Sequence, residues 1–314
     1  MTERLNNTAF IFPGQGSQSV GMLSDFADVS QVKQTFEQAS DALGYDLWAL
    51  CQNGPEENLN QTDKTQPVLL TASIALWRVW QTKAPLPSIV AGHSLGEYSA
   101  LVSAGILDFE QGVKLVEQRG LFMQEAVPAG VGKMAAIIGL DDDKVKQACI
   151  DSAEDQIVSP VNYNSPGQIV IAGNSDAVER AMNACKGAGA KRAMPLAVSV
   201  PSHCMLMKPA SERLSELLDT ISFNDSAEVS VVNNVDVAIE TNVDKIKDAL
   251  VRQLYCPVRW SETIQSLSAQ GVTNFVECGS GKVLSVLNRR IDRGLNSYQT
   301  LTNSSLNQAI EALT

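Results

Sequence analysis

Histidine is nearly absent: the 314 residues hold only His93 and His203. Any chemistry that needs an imidazole must therefore run through one of these two. The six cysteines (Cys51, Cys149, Cys185, Cys204, Cys256 and Cys278) form no C-x-x-C pair. That argues against a zinc site or a disulfide scaffold and makes free thiols the expectation. Basic residues are outnumbered, with 24 Lys and Arg against 35 Asp and Glu and a net charge of −11. An acidic chain without a long basic run is a poor ligand for nucleic acid or an anionic membrane. Long apolar runs are missing too. TQPVLLTASIALW spans 13 residues between Lys64 and Arg78, whereas a bilayer helix needs about 20. The opening MTERLNNTAF lacks the apolar core of a secretory signal, so a cytoplasmic location is expected.

What is present reads as a folded α/β protein. Hydrophobic residues make up 44% and charged residues 19%, a balance that can fill a core rather than stay disordered. TAFIFPG, SIVAGHS, VSVVNNVD, NFVECG and SYQTLTN read as strands. Between them lie helical stretches such as TQPVLLTASIALWRVW, DKIKDALVRQL and WSETIQSLSAQ, with Pro67 expected near a first turn. Alternating helix and strand implies a mostly parallel sheet covered on both faces. Residues 129–200 follow another rhythm. KMAAIIGL, IVSPVNYN, GQIVIAG and KRAMPLAVSV are expected strands, and the helices DDKVKQACIDSA and SDAVERAMNACKGAG separate them in the order βαββαβ. That order is ferredoxin-like. The expected organisation is a large α/β-hydrolase-like domain of residues 1–128 and 201–314, with a ferredoxin-like domain of residues 129–200 inserted.

Residues 92–100 read GHSLGEYSA, and the first five fit G-x-S-x-G. Between a strand and a helix, this pattern exposes a serine nucleophile on a tight turn. A lone G-x-S-x-G also arises by chance; the flanking strand and helix are what give Ser94 its weight. A serine nucleophile needs a base. His93 adjoins Ser94 in the turn, where neighbouring side chains diverge, which leaves His203 in SVPSHCMLM. No aspartate stands out as an orienter of His203, and a backbone carbonyl or an amide can fill that place. Arg119 sits in an otherwise apolar row with Leu115, Phe122 and Ala126. It either snorkels to water or is held inward for a substrate carboxylate, which its fork matches. Just past the loop FPGQGSQ, Ser19 stands where a dinucleotide fingerprint needs glycine, and GSGK at 279–282 is no Walker motif. A backbone N–H from the first loop facing Ser94 would supply half an oxyanion hole.

FPGQGSQ, GHSLGEYSA, the Gln-Arg-Gly around Arg119, PSHCMLM and RQLYCPVRW stand in this order along the chain. Together they resemble the malonyl-CoA:acyl carrier protein transacylases of fatty-acid synthesis and the related acyltransferase domains of polyketide synthases. The resemblance covers nearly the whole chain. It implies that Ser94 is acylated, that His203 is the general base, and that the backbone carbonyl of Gln253 orients the imidazole. It implies an oxyanion hole from the N–H groups of Gln15 and Leu95, Arg119 paired with the malonyl carboxylate, and Asn162 close to the site. It implies no metal or redox cofactor, and acyl carrier protein and coenzyme A thioesters as partners; a monomer is expected. Ser202 stands where malonyl-selecting polyketide domains often carry phenylalanine, and Ser280 where the family commonly has proline.

Carrier proteins of this family are acidic, as is this chain. A local basic patch is therefore expected, with Lys186, Lys191, Arg192, Lys208, Arg289 and Arg290 as candidates. A serine esterase or thioesterase is the alternative activity, and a non-catalytic carrier-binding module is a third class.

Overall fold

The computed structural model describes residues 4–198 and 200–314. Among the described residues nine strands form, in chain order: β1 (Arg4–Phe12), β2 (Leu86–Gly92), β3 (Gly132–Ile138), β4 (Val158–Ser165), β5 (Gln168–Asn174), β6 (Arg192–Pro195), β7 (Ser230–Val232), β8 (Asn274–Glu277) and β9 (Asn296–Gln299). They make two sheets. One is five-stranded in the order β7-β2-β1-β8-β9, with every pairing parallel. The other is four-stranded in the order β4-β5-β3-β6, with every pairing antiparallel. The chain is thus mixed α/β with a parallel sheet and a separate antiparallel one.

The parallel sheet is buried on both faces, because its crossover helices must cover both. Period-two alternation along β1 shows how. Phe10 and Phe12 point one way, and Phe10 meets Trp77 and Trp80 edge-on with ring centroids 5.3 and 4.8 Å apart. Ala9 and Ile11 point the other way and join Trp260, Ile264 and Phe275. The antiparallel sheet is asymmetric. Ala135, Ile137, Ile169 and Ile171 face the helices Asp142–Ala153 and Ser175–Gly187. Met134, Val170 and Ala172 face the opposite way, against Cys204 and Leu206.

Two local expectations are revised. The helix carrying Pro67 starts at Thr62, so the proline lies inside it rather than in its first turn. The strand expected over residues 191–200 forms only at Arg192–Pro195. Proline has no N–H for a ladder. One further bond, Leu196 N–H to the Met134 carbonyl at 2.9 Å, holds the chain before it leaves the sheet; Ser199 lies outside the described residues. All six thiols are free, and five are buried. Among the described residues no helix is long and apolar enough to cross a membrane, and no cluster of ligating side chains could hold a metal ion.

Candidate active site

Open parallel sheets place their sites beyond the carboxyl ends of the strands, and three adjacent strands end together here. β1 runs into Pro13 and Gly14, β2 into His93 and Ser94, and β7 into Asn233 and Asn234. Ser94 occupies the turn with φ 54° and ψ −108°, a conformation that costs strain in a non-glycine residue. The turn is held by what surrounds it. A Cβ on Gly92 would lie 1.9 Å from the Gly96 carbonyl, and one on Gly96 would lie 2.0 Å from the Phe12 carbonyl oxygen. Only glycine permits either approach, so the spacing of G-x-S-x-G is a packing requirement on both sides of the serine. Asn234 completes the clamp. Its Oδ1 accepts from the Ser94 N–H at 2.7 Å, and its Nδ2 donates to the Gly92 carbonyl at 2.6 Å.

His203 arrives on the segment that returns from the antiparallel sheet. Its backbone N–H donates to the Leu254 carbonyl at 3.0 Å, and its Nδ1 lies 2.7 Å from the Gln253 carbonyl. A carbonyl can only accept, so the proton is on Nδ1. Nε2 is then the bare acceptor, 2.8 Å from Ser94 Oγ. Burial pushes the imidazole down to about 3, with the nearby Arg119 charge acting in the same direction and the Gln253 bond opposing. The ring is therefore neutral at neutral pH and able to take the serine proton.

Arg119 does not snorkel. It lies in the helix Phe109–Ala126 and is 1% exposed. Nη1 donates to Gln66 Oε1 at 2.7 Å, and Nη2 donates to Gln253 Oε1 at 2.9 Å and to Ser94 Oγ at 3.3 Å. Among the described residues these partners are all neutral, and Nε has none. Burial lowers the guanidinium pKa from its ordinary value, yet an arginine keeps its charge in a protein. A buried cation without an anion is costly, and this one is aimed at the nucleophile.

Gln15, Leu95 and Asn162 line the same cleft as Ser94, His203 and Arg119. Leu95 opens the helix Leu95–Ser103, and its N–H belongs to the unsatisfied first turn. Asn162 Oδ1 is buried without a hydrogen-bond partner among the described residues. The rest of the wall is apolar. Met134 and Val170 come from the antiparallel sheet, and Leu196, Val198 and Val200 from the segment that leaves it. A groove of about 910 Å³ beside Phe36, Tyr45 and Trp48 is roomier than the space of about 100 Å³ at Ser94. Among the described residues no histidine or cysteine lines it, so size does not pick the reactive site.

Gln66, Glu97, Asn164 and Asn234 were not legible as site residues. Asn164 Oδ1 meets His93 Nε2 at 2.9 Å, which turns His93 away from Ser94. Asn234 had one available signal, an asparagine just past the end of a parallel strand. Of the candidate basic patch, Lys186, Lys191, Arg192, Arg289 and Arg290 are exposed, while Lys208 is half-buried with its ammonium over the Tyr255 ring. Arg290 bonds Gln168 at the start of β5.

Comparison with known proteins is consistent along the whole chain. Residues 9–306 match the model of the acyl transferase domain family. The malonyl CoA-acyl carrier protein transacylase of Escherichia coli K12 is 62% identical over 302 residues, covering 96% of this chain and 96% of that one. A crystal structure of an acyl carrier protein S-malonyltransferase from Vibrio cholerae is 59% identical with a TM-score of 0.94, covering 96% of this chain and 99% of the other. A malonyl-transacylase solved in complex with its type II polyketide acyl-carrier protein is 58% identical with a TM-score of 0.96, covering 98% and 100%.

Proposed function

The chain belongs to the acyl transferase domain family, and from that premise we propose that it moves the malonyl group of malonyl-CoA to the phosphopantetheine thiol of acyl carrier protein. The observation that carries this reading is Arg119: a buried guanidinium with no carboxylate among its hydrogen-bond partners in the described residues, 3.3 Å from the hydroxyl of a serine that already faces a neutral imidazole. A malonyl thioester supplies the missing carboxylate and the electrophile together.

The geometry supports the following steps. Ser94 Oγ attacks the thioester carbonyl while its proton passes to His203 Nε2. The N–H groups of Gln15 and Leu95 are the donors we assign to the oxyanion. Collapse breaks the C–S bond, coenzyme A leaves with the proton from His203, and a malonyl-serine ester remains. The carrier thiol then gives its proton to His203 and attacks the ester. Collapse returns the proton to Ser94 and releases malonyl-carrier protein. This is a ping-pong double displacement. The Gln253 carbonyl takes the place an aspartate holds in many serine hydrolases: it fixes the tautomer and orientation of His203 without adding a charge. The steps call on no metal or redox cofactor. Asn162 lies on the wall of the cleft, and we assign it to the acyl group or the pantetheine arm.

Transfer over hydrolysis is supported by two features. The wall of Met134, Val170, Leu196, Val198 and Val200 disfavours water beside the ester. A carboxylate pinned by Arg119 keeps the ester where the incoming thiol arrives. We read the parallel sheet and its helices as the hydrolase-like domain of residues 1–128 and 201–314. The second sheet, whose strands run second-third-first-fourth across it, is the ferredoxin-like insertion of residues 129–200. We further infer a monomer that works in the cytoplasm and meets carrier protein through the basic residues named above.

The test is a mixture of the protein, malonyl-CoA and phosphopantetheinylated carrier protein. The expected product is malonyl-carrier protein, with malonate formed slowly whether or not the carrier is present. Rapid malonate release without carrier protein would establish a thioesterase instead.

A further inference from the structure

Glu97 is a fully buried carboxyl that the transfer steps do not use. It lies in the first turn of the helix Leu95–Ser103 and is 2% exposed. Its Oε2 accepts from Gln253 Nε2 at 2.8 Å and from the Asn234 N–H at 2.9 Å. Gln253 Nε2 also donates to the Ser94 carbonyl at 3.1 Å, and Gln253 Oε1 accepts from Arg119 Nη2 at 2.9 Å. An amide has one donor end and one acceptor end. Reversing Gln253 would set its oxygen against a carboxyl and a carbonyl, and its NH₂ against a guanidinium. The oxygens of Glu97 and of the Ser94 carbonyl together set which end of Gln253 faces Arg119, and Glu97, at 2.8 Å, is the nearer of the two and the one a substitution can change.

From this juxtaposition we infer that Glu97 is a positioning residue for acyl selection: it locks the Gln253 amide so that Arg119 is aimed at the carboxylate of the acyl group on Ser94. The inference rests on the reading that Arg119 receives that carboxylate. Glu97 touches no reacting atom and moves no proton; it acts on Arg119 through Gln253, while its bond from the Asn234 N–H supports the Ser94 turn and so affects both acyl groups alike. Burial pushes its carboxyl up to about 7, against the lowering effect of the Asn234 and Gln253 bonds and of Arg119. A protonated carboxyl still keeps one bare oxygen, so the acceptor role survives in both forms, and glutamine can mimic it. Aspartate cannot, because it withdraws the acceptor by one carbon–carbon bond, about 1.5 Å.

The test compares Glu97→Asp and Glu97→Gln with the wild type. Intact mass follows the rate at which malonyl-CoA and acetyl-CoA, its neutral counterpart, acylate Ser94, and thermal melting checks folding. Glu97→Asp should lower the malonyl rate about tenfold more than the acetyl rate, the scale of one hydrogen bond to a charged group. Glu97→Gln should hold the wild-type ratio within about twofold, less than the loss of one such bond. If Glu97→Asp does not fold, Glu97→Met removes the acceptor at similar volume and should show the same shift. Malonyl and acetyl rates that fall in equal proportion would overturn the inference. So would a glutamine variant that behaves like the aspartate one. A wild type that takes acetyl as readily as malonyl would contradict the premise about Arg119, a separate failure visible in the same data.

Discussion

Two arginines meet the end of one helix and differ in almost every respect. Arg252, on the outer side of the helix Val243–Gln253, binds Asp236 through both terminal nitrogens at 2.9 and 2.7 Å and Asp248 through Nε at 2.6 Å. These bonds raise its pKa. Arg119 reaches Gln253, the next residue, from the inner side. Its hydrogen-bond partners in the described residues are all neutral, and burial lowers its pKa. A cation answered by its own chain's carboxylates is structural. A buried cation left with amides and a hydroxyl is an unfilled site, and its direction shows what fills it. The floor beneath Ser94 thus leaves the guanidinium open to an anion: the buried carboxyl near it, Glu97, is held off behind the Gln253 amide.

This contrast can be broken most severely at Arg119. Arg119→Ala should lower kcat/KM for malonyl-CoA by on the order of 10²- to 10³-fold, as loss of a buried charge-paired anchor does. Acetyl-CoA should be affected far less, and an equal loss for both would make Arg119 structural after all. Gln253→Ala is the next step down. It removes the amide that holds Arg119 but leaves the carbonyl that holds His203. The malonyl rate should fall about tenfold, while the acid limb of its pH profile stays where it was.

That acid limb sharpens the electrostatic half of the argument. The folded pKa of His203 is pushed down to about 3, below the free value of 6.5. Acylation of Ser94 should therefore hold nearly constant from pH 7 to pH 5, where a free imidazole would lose about 25-fold of its neutral form. Stability moves in the opposite sense. Below 6.5 the unfolded imidazole takes up a proton that the folded one refuses until about 3, so this group costs stability as the pH falls through that window. An acid limb near 6.5 in rapid-quench acylation would show that the imidazole is not desolvated. The smallest effect belongs to the outer arginine. Arg252→Ala should cost about 1 kcal/mol in denaturant unfolding, since its partners are partly exposed and screened, and should leave acyl selectivity unchanged.

Much of this was legible in the sequence. The strand and helix flanking GHSLGEYSA pointed to Ser94, the scarcity of histidine to His203, and a charge in an apolar row to Arg119. Gln253 was not legible from its own residue type, because the contact that matters for His203 is a backbone carbonyl. It entered only through the family resemblance. Asn234 and Glu97 escaped because their bonds join residues 140 and 156 positions apart, to Ser94 and Gln253. No local period carries that information. The strand after Lys191 was drawn too long for a related reason: the segment past Pro195 has a strand's composition but lines the cleft instead.

The most direct measurement is the intact mass of the protein after brief mixing with malonyl-CoA, beside Ser94→Ala. The account predicts a malonyl adduct on the wild type and none on the variant, and the adduct should disappear when carrier protein thiol is added. An adduct of equal size on Ser94→Ala, or no adduct while malonate accumulates, would contradict it.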